Sequence, residues 1–147
     1  MPALKTYDLF ISHAWKYGED YRRVVNLLDS ASNFYYRDYS APEEKPLLIA
    51  GNDVRNAAEI RSAIIQKIKP VHCVLIISGM YYNNRQWMQF EIDTAKKLRK
   101  PIIAIKPWGA SRMPIEVQNV ADVIVGWNTS SIVDAIRCYS IIMLHIS

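Results

Sequence analysis

The residues with the clearest potential for chemistry are Trp87 and Glu91, which lie four residues apart in the segment WMQFEIDTAKKL, residues 87–98. In a helix, residues four apart lie on the same face, separated by one turn. A carboxylate held beside an indole can bind ribose hydroxyls or stabilise a developing cation while the indole packs against a flat ring. The pair is therefore a candidate ligand site.

Glu91 occupies an unusual position in this predicted helix. Successive residues of a helix are rotated by about 100° around its axis, so Glu91 lies roughly 40° from Trp87. This position is between Leu98 and Ala95, on the apolar side of the helix. The apolar residues cover an arc of about 140°, and the other polar side chains lie opposite them. Burying an unpaired carboxylate costs several kcal/mol. Two structural explanations remain open: a buried Arg or Lys pairs with Glu91, or Glu91 reaches solvent at the end of a short helix.

Five short apolar segments predict strands, and the longer amphipathic segments between them predict helices. The predicted strands are YDLFIS (7–12), FYYRDY (34–39), VHCVLIIS (71–78), PIIAIK (101–106) and DVIVGW (122–127). The first predicted helix has apolar residues at 21, 24, 25 and 28, and the second has them at 57, 60, 64 and 68, behind an Asn56–Glu59 capping box. The third helix carries Glu91 and is capped by Asn83 or Asn84. The last has apolar residues at 132, 135, 136 and 139 and is opened by residues 129–131. This alternation predicts one α/β domain over residues 1–147, with a parallel sheet covered on both faces.

The carboxyl ends of parallel strands are where open sheets of this kind bind ligands. The residues predicted at that edge are 12–15, Ser40, 79–81 and 108–109. Glu91 lies near the same edge, two turns into the helix that follows the third strand. His13 fits a structural histidine as well as a substrate contact, and Trp15 and Trp87 fit the core as well as the cleft. The longest irregular stretch, Ser40 to Asp53, is predicted to be functional because loops of that length seldom occur otherwise.

Composition and motifs exclude several classes of protein. The net charge of +4 is scattered along the chain, which favours a solvated surface over a nucleic-acid groove. The two cysteines lack metal-ligand spacing and predict buried, reduced thiols in a cytosolic protein. No signal peptide or membrane-spanning run is predicted. The motifs GxGxxG, GxxxxGK[ST] and GxSxG are absent and the three histidines do not cluster, so neither a bound cofactor nor a metal is predicted.

Several stretches together resemble the Toll/interleukin-1 receptor (TIR) domain family, and the resemblance spans nearly the whole chain. YDLFISHA (7–14) resembles its first strand, RDYSAP (37–42) the segment that leads into its BB loop, WMQFE (87–91) the Trp-x-x-x-Glu pattern of its enzymatic members, and PIIAI (101–105) the following strand. PWG (107–109) and VGWN (125–128) are similar to the small stand-alone bacterial group of the Thoeris antiphage system. The order and spacing of these motifs are more specific than any one of them.

The resemblance implies a flavodoxin-like fold, with a doubly wound sheet of five parallel strands in the order 2-1-3-4-5 between two helical layers. It also implies an NAD⁺ glycohydrolase or ADP-ribosyl cyclase, with NAD⁺ as substrate and Glu91 as the catalytic carboxylate. Attack by water gives ADP-ribose, and attack by the substrate's own ribose or adenine gives a cyclic ADP-ribose isomer. In Thoeris systems the product is a messenger for a separate effector protein.

The resemblance further implies a substrate cleft and self-association. The expected cleft residues are Ser12, His13, Trp15, Tyr39, Met80 and Trp87. Family members often complete the site when subunits assemble, with the 40–53 loop reaching across. Glu43 replaces the glycine that usually follows the loop proline, which argues against receptor-adaptor signalling. Two alternatives remain: a non-enzymatic TIR assembly scaffold, and an enzyme like the nucleoside deoxyribosyltransferases, which also use a glutamate at a glycosidic bond.

Overall fold

Five parallel strands form a single sheet at the centre of the computed structural model, which describes residues 5–12, 19–40, 57–79, 81, 85–107 and 112–146. The strands are β1 (Thr6–Ser12), β2 (Tyr35–Asp38), β3 (Cys73–Ile77), β4 (Ile102–Ile105) and β5 (Val123–Val125). Their order is β2-β1-β3-β4-β5, and every neighbouring pair is parallel. This confirms the flavodoxin-like arrangement and strand order that the family resemblance implies.

Burial varies across the sheet as its strand order requires. β3 and β4 are buried at every residue, because central strands of a parallel sheet are covered on both faces. β2 and β5 lie at the two edges and are partly exposed. β1 lies between β2 and β3 and is buried from Tyr7 to Ser12; it pairs with β2 over Thr6–Leu9 and with β3 over Leu9–Ser12, so β3 holds its carboxyl end.

Within the described ranges, five helices lie around the sheet: α1 (Glu19–Asp29), α2 (Ala57–Ile68), α3 (Arg85–Lys97), α4 (Ile115–Val120) and α5 (Thr129–Ile146). α1 packs against α5, and α2 packs against α3. The sequence did not predict α4, because six residues that bury only Val117 carry no helical periodicity. The start of α5 also differs from the prediction: Asn128 is its cap, since the Asn128 Oδ1 accepts a 2.8 Å hydrogen bond from the Ser131 N–H.

The carboxyl end of α3 is closed by a residue with left-handed backbone geometry. Arg99 has φ +59°, the Lys100 N–H donates to the Ala95 carbonyl at 2.8 Å, and the Arg99 N–H donates to the Lys96 carbonyl at 3.1 Å. These two bonds make a Schellman motif, in which glycine is the usual left-handed residue. The predicted end of α3 before Lys100-Pro101 is therefore confirmed, with an arginine in the glycine position.

A hydrogen-bonded pair joins β1 to the turn before β3 at the amino end of the sheet. The Asp8 N–H donates to Nδ1 of His72 at 2.9 Å, and the His72 N–H donates to the Asp8 carbonyl at 2.7 Å. Burial lowers the pKa of half-buried His72, and the Lys5 charge acts in the same direction, while the Asp8 carboxylate opposes them. Arg37 contacts that carboxylate at 2.6 Å.

The two cysteines differ in exposure, which corrects one prediction. Cys73 is buried, and burial raises the pKa of its thiol to about 12. Cys138 is exposed, because it lies on α5 away from the side that buries Ile132 and Ile136.

Among the described helices, none combines the length and the apolar character that crossing a bilayer requires.

Candidate active site

Glu91 lies in the middle of α3, on the side that faces the protein interior. It is 0 % exposed, and its neighbours on that side, Met88, Ile92 and Ala95, are buried as well. The explanation that Glu91 reaches solvent at the end of a short helix is therefore wrong. The helical spacing that assigns this carboxylate to the apolar side agrees with its position in the structure.

The Glu91 carboxylate is hydrogen-bonded to the end of the first strand. The Ser12 hydroxyl donates to Glu91 Oε1, and Ser12 is also 0 % exposed. Ser12 is the last residue of β1, in register with Ile76 of β3. A hydroxyl that donates to a carboxylate makes a charge-assisted bond, which is stronger than a neutral one. The structure thus joins two of the predicted site residues directly at the carboxyl edge of the sheet.

Trp87, one turn before Glu91 in α3, is 9 % exposed and belongs to the main hydrophobic core. Its ring meets that of Phe90 edge to face, with 6.4 Å between the centroids. Of the two positions that the sequence left open for Trp87, the structure shows the core position. Contact between a substrate and this indole is therefore restricted to its small exposed part.

Tyr39 lies just beyond the carboxyl end of β2, and its backbone is tied to two other elements. Its N–H donates to the Leu9 carbonyl of β1 at 2.8 Å. Its carbonyl accepts a 3.2 Å hydrogen bond from Lys67 Nζ of α2. Half-buried Tyr39 is therefore fixed at the same edge of the sheet as Ser12, on the neighbouring strand.

Asp38, which is not among the residues predicted from the sequence, organises the point at which the chain leaves β2. The two oxygens of its carboxylate accept from the Tyr21 hydroxyl, from the Ser40 hydroxyl and, at 2.9 Å, from the Ser40 N–H. An aspartate that binds the backbone two residues ahead is a local turn signal that the sequence carries. Tyr21 lies on α1, so this partner could not be found from local sequence.

Ser78 is a second buried serine at the carboxyl edge that the sequence analysis did not single out. It follows β3 directly, is 0 % exposed, and its hydroxyl donates to the Ile105 carbonyl of β4. Tyr81 comes shortly after it, is 1 % exposed, and donates through its hydroxyl to Gln89 Oε1 of α3. The Ser78 bond fixes the end of β3 against β4, and the Tyr81 bond ties the segment that follows to α3.

Asp20, in the first turn of α1, also lies at this edge. A Cβ atom built on Gly79 would stand 3.9 Å from Asp20 Oδ2 and 3.5 Å from Pro107 Cα, so α1 begins beside the ends of β3 and β4. Arg23 pairs with Glu19 at 2.7 Å and with Asp20 at 3.5 Å. These acidic groups are partly neutralised by an arginine of their own helix.

The remaining predicted site residues, His13, Trp15 and Met80, lie outside the described residues, as do residues 41–53 of the predicted loop and Trp108-Gly109. Their roles remain predictions from the sequence. Across the part of the chain that the structure describes, no group of three or more histidine, cysteine or acidic side chains is arranged to hold a metal ion.

Comparison with protein-family models gives a match over residues 10–112 to the family described as Thoeris protein ThsB, TIR-like domain. The match covers more than half of the chain and runs from β1 past β4, so it includes Ser12 and Glu91. A comparison with curated proteins gives no match. The family match confirms the resemblance that the sequence motifs carry.

Proposed function

The chain belongs to the TIR-like domain family of the Thoeris protein ThsB, a family of antiphage defence, and we propose that it cleaves the nicotinamide–ribose bond of NAD⁺. Glu91 is the catalytic carboxylate of this proposal. The reaction class is that of an NAD⁺ glycohydrolase or ADP-ribosyl cyclase, and NAD⁺ is its substrate, with no further cofactor.

The observation that carries the proposal is a fully buried carboxylate at the carboxyl edge of a parallel sheet, held by the Ser12 hydroxyl. Replacing a buried ionic group together with its partner by well-packed apolar residues is often neutral or stabilising, so a buried carboxylate is weak evidence of a role in stability. Buried ionisable groups cluster at functional sites. The carboxyl edge is also where sheets of this order bind their ligands.

The chemistry suits a single carboxylate. The bond between ribose C1′ and the nicotinamide nitrogen breaks with its electron pair going to that nitrogen, so the cationic ring leaves as neutral nicotinamide. A neutral leaving group needs no acid to protonate it. Glu91 holds the ribose through its hydroxyls and stabilises the oxocarbenium-like transition state by its negative charge.

The nucleophile that next bonds to C1′ decides the product. Water adds its oxygen there and releases a proton, which gives ADP-ribose. A nucleophile from the substrate's own adenine or ribose closes a ring instead, which gives a cyclic ADP-ribose isomer. We assign the cyclic isomer as the signal, because the Thoeris family implies a separate effector, and a released messenger would connect the two proteins.

NAD⁺ binds, in this proposal, at the carboxyl edge of the sheet, beside Tyr39 and the exposed part of Trp87, with Ser12 beneath it holding Glu91. His13, Trp15 and Met80 complete the cleft, and the 40–53 loop mediates self-association of the domains. The enzyme works in the cytoplasm, and neither nucleic acid nor a membrane takes part in the reaction.

The first test follows nicotinamide and nucleotide products by mass spectrometry after incubation with NAD⁺. Concentrated wild-type protein and lysate of phage-infected cells that express it are both assayed. Glu91→Gln, which is nearly isosteric, is expected to fold and to release no nicotinamide. Glu59→Gln makes the same chemical change at an exposed position of α2 and is expected to retain wild-type activity.

The mass of the nucleotide product distinguishes hydrolysis from cyclisation. No release from wild-type protein in either setting, or equal release from a folded Glu91→Gln protein, would contradict the proposal and favour the non-enzymatic scaffold. Release of free bases from nucleosides, with NAD⁺ left intact, would favour the deoxyribosyltransferase alternative.

A further inference from the structure

We propose that Ser12 is a positioning residue, whose hydroxyl fixes the orientation of the Glu91 carboxylate for the reaction. The inference rests on the proposed function and adds to it an assignment for a side chain that the sequence predicts only as part of the substrate cleft. It starts from the hydrogen bond that Ser12 donates to Glu91 Oε1 across 79 residues of sequence.

The sheet makes Ser12 a rigid support. β1 is paired with β2 over Thr6–Leu9 and with the buried strand β3 over Leu9–Ser12, where Ser12 itself is in register with Ile76. Glu91, by contrast, reaches its carboxylate through three rotatable bonds on a helix that packs onto the sheet from outside. A catalytic group must be held within about 0.5 Å of its productive position, which requires a neighbour that is itself fixed. The Ser12 hydroxyl is placed to provide that restraint.

The direction of the hydrogen bond limits what else Ser12 can do. A serine hydroxyl has one proton to donate, and in this structure that proton goes to Glu91 Oε1. Ser12 therefore has no proton left to give to a substrate while it holds the carboxylate. Its loss is expected to act on the chemical step, through Glu91, more than on the binding of NAD⁺.

A purely structural role for Ser12 makes a different prediction, and Ser78 provides the matched control. Both serines are 0 % exposed, and both lie at the carboxyl ends of neighbouring central strands. Each donates one buried hydrogen bond, Ser12 to a carboxylate and Ser78 to the backbone carbonyl of Ile105. Alanine removes the same atom from either position, but only at Ser12 does the change reach Glu91.

The test measures kcat and KM for NAD⁺ in Ser12→Ala, Ser12→Thr and Ser78→Ala, with folding checked by circular dichroism. A misplaced catalytic group typically costs up to about a hundredfold in rate. Ser12→Ala is accordingly expected to lower kcat by about ten- to a hundredfold and to leave KM within about twofold. Ser78→Ala is expected to keep nearly full kcat, and Ser12→Thr, which restores the hydroxyl, to recover most of it.

Four results would overturn the assignment. Two concern Ser12→Ala alone: an unchanged kcat, or a raised KM at constant kcat. The third is an equal loss of kcat in Ser12→Ala and Ser78→Ala. The fourth is a folded Ser12→Thr protein that is as slow as Ser12→Ala. An active wild type with an inactive Glu91→Gln and a normal Ser12→Ala would refute the positioning role alone. Nicotinamide release that is absent from wild-type protein, or unchanged in Glu91→Gln, would refute the proposed function together with it.

Discussion

At the scale of single residues, Glu91 is the side chain that the hydrophobic core does not explain. Its carboxylate is wholly buried among apolar residues of α3 and accepts a hydrogen bond from Ser12. Removing a hydrogen bond from a buried polar group costs about 1–3 kcal/mol, and more for a charged group. Ser12 and Glu91 should therefore depend on each other energetically.

That dependence predicts the outcome of a double-mutant cycle on stability. Ser12→Ala is expected to lower the free energy of unfolding by about 1–3 kcal/mol in the wild-type protein. In the Glu91→Gln variant the same change should cost less, because the hydroxyl then contacts a neutral amide rather than a carboxylate. Urea unfolding of the four proteins gives the coupling, expected at about 1 kcal/mol.

The cycle has a clear contrary result. If the costs of Ser12→Ala in the two backgrounds agree within about 0.3 kcal/mol, the two residues act independently, and the hydrogen bond does not stabilise the carboxylate. Because this measurement needs no NAD⁺, it tests the contact separately from the reaction.

At the scale of the elements, the end of α3 departs from the most favourable local sequence. Arg99 adopts φ +59° in a position where glycine is the usual residue. Left-handed geometry costs a residue with a Cβ atom roughly 1–2 kcal/mol, while glycine adopts it without that strain. The two hydrogen bonds of the Schellman motif keep the arginine in place. The helix end therefore carries strain that a substitution can remove.

Arg99→Gly is expected to raise the free energy of unfolding by about 0.5–1 kcal/mol, since part of the gain is offset by the greater freedom of glycine in the unfolded chain. Lys97→Gly is the control, because Lys97 is exposed and still within α3. There glycine should lower the free energy of unfolding by about 1 kcal/mol. Thermal unfolding of both variants checks the prediction, and a loss of stability in Arg99→Gly would contradict it.

At the scale of the whole molecule, the architecture follows from local patterns and the site contacts do not. The nearly continuous apolar runs at β3 and β4 and the helical stripe around Glu91 are visible in any short window of sequence, and they predict the parallel sheet. α4 has too few buried residues to show a period. The bonds from Ser12 to Glu91 and from Tyr21 to Asp38 join different elements, so only the folded chain reveals them.

The stability of the whole molecule should depend on pH through His72. Its pKa is lowered in the folded protein, chiefly by burial. The unfolded chain therefore takes up a proton first as the pH falls below about 6.5, and this shifts the equilibrium towards unfolding. The contribution of His72 is complete above that pH and is lost progressively below it.

Urea unfolding between pH 7.5 and pH 5 checks this expectation. The free energy of unfolding should fall with pH in the wild type and fall less steeply in His72→Asn, whose side-chain oxygen can still accept from the Asp8 N–H. Identical slopes for the two proteins would show that His72 does not titrate differently in the folded and unfolded states.

The distance along the chain between Ser12 and Glu91 has a consequence for the timing of activity. Their contact joins the first strand to a helix that follows the third, so it forms only after β1, β3 and α3 have come together. Chains emerge from the ribosome amino end first, and contacts between distant segments form late in folding. A growing or truncated chain that ends before α3 carries no Glu91 at all. Under the proposed function, unfinished copies therefore leave the NAD⁺ of the cell that makes them intact.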